Sequence, residues 1–293
     1  MSYKGVFNEN FPSEKYHSFQ FFKYHSFAFH TRANYPILYY GNTRNNNNTL
    51  ITKFLKKNGY ITCYCNDFCM KDNVRTFHNM TLSEAYDHLF IICDPNVDHY
   101  NRHTTKCLYG KNNAEHLYEY GNQFWRKYKN NRKFLNIIIN DGHEGTLEAL
   151  KYVDDIIFNF LNNLYIENLF KDSSIFLLSD HGVGMPSFYY FFEFYRLEEQ
   201  LPMLYVIIND RKNITYNQQY KYIYQNQQTL ITAYDIYNTF INIIYGDQYY
   251  YLKNKLYNAH YPKSNIGISL FNKINQTLRN PILYENMFRY VCY

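Results

Sequence analysis

The chain has 293 residues and a mass of 35.7 kDa, with 46% hydrophobic and 19% charged residues. That suits one large α/β domain or two small ones and excludes wholesale disorder and a coiled coil. The formal net charge is +5, from 30 Lys and Arg against 25 Asp and Glu, and these charges are scattered, so electrostatics makes no case for a nucleic-acid partner.

In chain order, residues 1–12 carry Asn, Glu and Lys where a signal peptide needs an apolar stretch, which implies either a cytosolic protein or a missing true N-terminus. Residues 25–30 (HSFAFH) alternate polar with apolar and predict a strand. Thr31 follows directly, and the segment ending at Gly41 reads as a helix stopped by glycine. The Asn run at 45–48 reads as a surface loop. Residues 49–58 (TLITKFLKKN) put Leu50, Ile51, Phe54 and Leu55 on one helical face, Gly59 closes that helix, and 60–65 reads as a strand.

A helix is predicted over 115–128, followed by the unbroken apolar run 134–139 (FLNIII), which predicts a strand buried on both faces. From 146 to 169, Val153, Ile156, Ile157, Phe160, Leu161 and Leu164 recur at helical spacing. Residues 174–179 (SIFLLS) and 203–208 (MLYVII) are strand-like, and 232–244 reads as a helix. This alternation predicts an α/β fold in which the three apolar strands share one mostly parallel sheet flanked by helices. The core is expected over residues 12–248. The weaker periodicity of 249–293 predicts a small peripheral region packed on it. Ligands of such sheets bind beyond the carboxyl ends of the strands.

The 35 Tyr accompany heavy use of Asn, Lys and Ile, a pattern of A- and T-rich coding that carries no function. Six cysteines, at 63, 65, 69, 93, 107 and 292, lack zinc-ribbon spacing and are either three disulfides or free thiols. Four glycosylation sequons, at Asn47, Asn79, Asn213 and Asn275, are what an Asn-rich chain produces by chance. The longest apolar stretches, such as 89–93, fall far short of the ~20 residues a bilayer needs, so no membrane span is expected.

Two predicted strand ends carry ionisable groups. One ends in Asn140, Asp141, Gly142, His143 and Glu144, the other in Ser179, Asp180, His181 and Gly182. A carboxylate beside an imidazole at the end of a buried strand carries a desolvation penalty unless a metal or a polar partner stabilises it. Asp180 and His181 are therefore candidate metal ligands, with a buried structural hydrogen-bond pair as the alternative.

Ser179-Asp180-His181-Gly182 resembles the metal motif of the alkaline phosphatase superfamily, which includes sulfatases, phosphodiesterases and phosphoethanolamine transferases. Thr31-Arg32-Ala33-Asn34 with Gly41 is similar to the nucleophile segment of the sulfatase-like domain-of-unknown-function family 229. Further blocks resemble that family in the same order. They are Gly59 to Thr62 with Asp67, Asp141 to Thr146, Leu197 to Pro202, Thr232 to Asp235 with Thr239, and Gly267 to Phe271.

The resemblance implies an alkaline-phosphatase-like fold with Thr31 as the catalytic nucleophile, on a strand-to-helix turn where backbone N–H groups favour an anion. Its alternative is a helix N-cap. Asp180 and His181 fall on metal ligands, and His143 on the residue that serves the leaving group. Glu198 and Asp235 fall in family blocks with structural roles, Asp235 in a capping box with Thr232. The implied cofactor is a divalent metal, with Zn or Mn favoured over Ca by mixed carboxylate and imidazole ligation.

The implied substrate is a small anionic ester or a glycan- or lipid-linked ester. Thr cannot be oxidised to the aldehyde that cysteine-type sulfatases use, which favours phosphoester or phosphoryl-transfer chemistry over sulfate hydrolysis. One departure stands out: no Asp precedes Thr31, although the superfamily has an acidic metal ligand on an upstream first strand. The expectation is a truncated chain with poor metal affinity and no turnover, whose compartment is secretory, extracellular or membrane-anchored if an upstream segment is missing. The alternative is an inactive sulfatase-like binding or scaffold protein.

Overall fold

The computed structural model describes residues 16–42, 50–67, 81–92, 107–142, 149–170, 173–182, 197, 199–209, 218–248, 267–276 and 279. The first strands are β1 (Tyr16–Gln20) and β2 (Tyr24–His25), followed by helices α1 (Thr31–Tyr40) and α2 (Ile51–Lys57). Then come β3 (Ile61–Asn66), α3 (Leu82–Ala85), β4 (His88–Ile91), and the short strands β5 (Cys107–Leu108) and β6 (Lys111–Asn112). Helix α4 (Asn113–Lys127), β7 (Lys133–Ile138), α5 (Ala149–Ile166), β8 (Ser174–Leu178) and β9 (Leu204–Asn209) follow. Last are α6 (Gln218–Asn226), β10 (Ile231–Thr232) and α7 (Ala233–Tyr245). The chain divides into two compact units, one built from residues 1–15 and 55–173, the other from 16–54 and 174–293.

In the first unit β4, β3 and β7 form a parallel sheet in that order. Parallel pairing needs a crossover, and α3 and α4 lie in the connections that supply it. Cys63 and Cys65 of the central strand are fully buried against Leu117 and Phe124 of α4. Their sulfurs are 3.7 Å apart, well beyond disulfide length, and both are free thiols, as is Cys107. Cys69, Cys93 and Cys292 lie outside the described residues.

Helix α4 begins in a capping box. Asn112 accepts from the Ala114 N–H at 2.8 Å, and Glu115 accepts from the Asn112 N–H. The helix presses Gly121 onto the sheet, where an added Cβ would lie 3.1 Å from Ile137 and 3.2 Å from Leu135. β7 itself is half-buried at every position rather than buried on both faces as its apolar run predicts. It ends its sheet, and β3 takes the enclosed central place.

Beyond the carboxyl ends of β3 and β7, the Asp67 carboxylate accepts from the Asn140 N–H at 3.0 Å and from its side-chain amide at 2.7 Å. Burial pushes the Asp67 carboxyl up to about 6, and nearby Asp141 adds to the rise.

The second unit differs from the predicted single parallel sheet. β8 and β1 both pair antiparallel with β9, giving the order β1-β9-β8. Antiparallel partners need no crossover helix between them, so the apolar strand pattern alone could not fix the direction of pairing. β2 extends only to His25 and pairs parallel with β10. Residues 26–30, predicted as strand by alternation, form a turn instead.

Helix α7 starts at the N-cap Thr232 with the predicted capping box, its hydroxyl and N–H both donating to Asp235. Asp235 is fully buried and also accepts from the Ile268 N–H at 2.8 Å and from both terminal nitrogens of Arg279, at 2.9 and 2.6 Å. Thr239 accepts from the Leu270 N–H at 2.9 Å, so residues 268–279 are pinned along α7. Gly267 is required there: a Cβ would stand 2.3 Å from the Tyr234 carbonyl oxygen.

Two expectations follow. Replacing Arg279 by Met strands the buried Asp235 charge and should lower the unfolding free energy by about 3–5 kcal/mol in urea titrations. Adding Asp235→Leu to that variant should fail to restore stability, because the Thr232 and Ile268 N–H groups would lose their acceptor. In the first unit, unfolded Asp67 ionises at about pH 4 while the folded carboxyl holds its proton to higher pH. Stability should therefore fall as pH rises from about 4 to about 6, by at most about 3 kcal/mol, and Asp67→Asn should flatten that slope.

Candidate functional site

The site is built within the second unit, from the turn before α1, the end of β8 and the segment before β9. His30 has extended backbone angles (φ −148°, ψ 149°) and is the N-cap of α1, although its side chain makes no capping hydrogen bond. Thr31 therefore stands one residue inside the helix, and its hydroxyl is not the N-cap that local sequence allows. Its Oγ1 lies 3.2 Å from Nε2 of His181.

The hydrogen bonds assign the imidazole tautomer. Nδ1 of His181 lies 2.7 Å from the Gly182 carbonyl oxygen, which can only accept, so the proton is on Nδ1. Nε2 then presents a lone pair, and the Thr31 hydroxyl donates to it. A hydroxyl bonded to an imidazole, at the first turn of a helix whose N–H groups favour anions, is a competent nucleophile arrangement.

Asn34 builds the turn that delivers Thr31. Its Oδ1 accepts from the N–H groups of Phe27 and Ala28 at 2.8 and 3.0 Å, and its amide donates to the Ala28 and His30 carbonyls at 2.7 and 3.2 Å. These bonds satisfy backbone groups that a strand ladder would otherwise use, which is why 26–30 does not continue as β-structure. Just upstream, the Ser26 N–H donates to the Gln200 carbonyl at 2.9 Å and its hydroxyl to the Glu199 carbonyl at 3.3 Å. The same Glu199 carbonyl accepts from the Gly182 N–H at 2.9 Å. One peptide unit thus ties the approach to Thr31 to the turn bearing Asp180 and His181.

Two carboxylates here lack donors. Asp180 Oδ2 lies 3.8 Å from His181 Nε2 and is buried with no hydrogen-bond partner among the described residues. Glu199 is 4% exposed, and its Oε2 is likewise buried and unpartnered. Burial pushes the Glu199 carboxyl up, and the nearby His181 ring pulls it partly back. Among the described residues no group of three or more His, Cys, Asp or Glu side chains is gathered to hold a metal. Asp180 Oδ2, His181 Nε2 and Thr31 Oγ1 nevertheless fit a cation, since an orphaned carboxylate oxygen, an imidazole lone pair and a hydroxyl share one locus.

Thr31, Asp180 and His181 are thus brought together. His143 and Glu198 lie outside the described residues. Asp235 serves as the helix cap and the Arg279 partner. Glu199 was singled out by no sequence signal beyond its place beside Glu198 in an acidic pair before Leu201 and Pro202.

Residues 30–283 match the family described as "Protein of unknown function (DUF229)". No curated protein sequence matches the chain. Among solved structures, the C-terminal periplasmic domain of phosphoethanolamine transferase EptC from Campylobacter jejuni aligns with a TM-score of 0.53 at 11% identity, covering 79% of this chain and 81% of that one. Lipoteichoic acid synthase LtaP from Listeria monocytogenes aligns at 0.51 and 16% identity, with 83% of this chain covered and 65% of that one. A Bacteroides thetaiotaomicron protein, BT33336S-sulf, from work on metabolism of multiple glycosaminoglycans, aligns at 0.51 and 11% identity over 77% and 70%. Among the described residues no helix is long and apolar enough to cross a membrane. The chain belongs to the DUF229 family, and its mixed α/β fold is that of the sulfatase-like alkaline phosphatase superfamily.

Proposed function

We propose that the chain is a metal-dependent phosphoester hydrolase or phosphoryl transferase acting on anionic esters, including glycan- or lipid-linked ones. The observation that carries this is the Thr31 hydroxyl bonded to His181 Nε2 beside the orphaned Asp180 carboxylate oxygen. The names of the EptC and LtaP neighbours point to the same class.

Asp180 and His181 would hold a divalent cation, Zn or Mn suiting mixed oxygen and nitrogen ligands better than Ca. When bound, such an ion polarises the ester and lowers the pKa of a neighbouring hydroxyl. Thr31 Oγ attacks phosphorus in line, its new O–P bond forming as the bond to the leaving oxygen breaks. The first-turn N–H groups of α1 orient the anionic group for that attack. His143 protonates the departing alkoxide, and the phosphorylated Thr31 is then released to water or to an acceptor hydroxyl.

A second reading, an inactive scaffold, is favoured by the ligand count. Zinc sites use at least three protein ligands, and Asp180 and His181 supply two. That count also supports impaired turnover in an otherwise enzymatic chain.

Assays of an aryl phosphate, an aryl phosphodiester and an aryl sulfate with added Zn or Mn separate these readings. Slow, metal-dependent turnover of a phosphoester, abolished by Thr31→Ala and reduced at least about 100-fold by Asp180→Asn, is the expected result. Metal binding without turnover of any ester would favour the scaffold.

A further inference from the structure

The buried, unpartnered oxygen of Glu199 has no place in the reaction above. A carboxylate removed from water without a donor is strongly unfavourable, so its persistence calls for compensating positive charge. The geometry names where that charge would sit. The Glu199 carbonyl is bonded to Gly182 N–H, its side chain feels the His181 ring, and Asp180 Oδ2 is a second orphaned oxygen beside the same imidazole. Two acidic groups left without donors around one imidazole would repel each other unless a cation lies between their fields.

Glu199 does not join Asp180 and His181 in a three-ligand cluster among the described residues, so direct ligation is not its role. We infer that Glu199 is an outer-sphere carboxylate that strengthens cation retention at Asp180 and His181 and holds the turn bearing them. The inference rests on the proposed reading of those two residues as metal ligands. Glu199 is a positioning residue here: it touches neither substrate nor reacting atoms, and it acts through His181 and the Gly182 peptide.

The charge and the packing can be separated, because Glu199→Gln preserves shape and leaves both main-chain hydrogen bonds to the Glu199 carbonyl in place. Outer-shell partners of metal ligands are typically worth 10- to 100-fold in affinity. The experiment is Zn2+ titration calorimetry on the full chain, freed of metal by chelator, with thermal unfolding measured before and after Zn2+ is added.

Glu199→Gln should bind Zn2+ about tenfold or more weakly. Without metal it should melt at the same temperature as the parent or higher, because a buried charge has been removed, while its Zn2+-induced gain in Tm shrinks. Glu199→Asp, which keeps the charge, should fall closer to the parent. A Glu199→Gln protein with parental Zn2+ affinity, while Asp180→Asn loses binding, would overturn this inference and leave the functional reading standing. Loss of metal-free Tm together with affinity would make the role merely structural and overturn it too. A parent chain that binds no Zn2+, or binds it equally well as Asp180→Asn, would remove both the functional reading and this one.

Discussion

The Asp235 carboxylate is the fixed point of the second unit. It is fully enclosed, yet its oxygens receive the Thr232 hydroxyl and N–H, the Ile268 N–H and the Arg279 guanidinium. Through Thr232 it fixes β10, whose partner is β2, and β2 leads straight into Ser26 and the turn that presents Thr31. Tyr24 of β2 is buried within the fields of both Asp235 and Asp180, and burial first, then those charges, keep its phenol protonated. A structural ion pair at one end of the unit and the reactive hydroxyl at the other are therefore consecutive links of one hydrogen-bonded path.

Three buried acids in this unit meet opposite fates. Asp235 is saturated with donors, whereas Asp180 and Glu199 each keep an oxygen with none among the described residues. Saturation fits a group whose task is to hold the chain, since every lone pair is used within the fold. An unused lone pair at a strand end is a standing penalty that folding alone would not retain. The distinction is one of wiring, not burial, because all three are enclosed.

Helices were legible where apolar spacing was regular: α5 buries Val153, Ile157, Phe160, Leu161 and Leu164, all on the predicted face. The α7 cap was legible because a capping box is local. The DUF229 resemblance and the α/β class were legible from ordered short blocks, which a shared fold preserves when overall similarity is low. The turn at 26–30 was not, because one side chain, Asn34, outcompetes the ladder that alternation implies. Nor was the antiparallel direction of β8 and β9, which apolar runs do not encode. The orphaned state of Glu199 was invisible for a further reason: it depends on contacts such as Ser26 to Glu199, 173 positions apart.

That separation bears on how the protein comes to exist. Residues 55–173 are an insertion between the two halves of the second unit, and β3 and β7, which they contain, pair over comparatively short chain distance. Thr31 and His181 are 150 positions apart, and β1 waits for β9. A ribosome delivers the inserted unit whole before it delivers the partner of the nucleophile, and closing the longer loop is the slower step. Nascent chains that stall or are cleaved before β9 would carry a completed insert and no chemistry, so the reactive hydroxyl acquires its imidazole only late in synthesis.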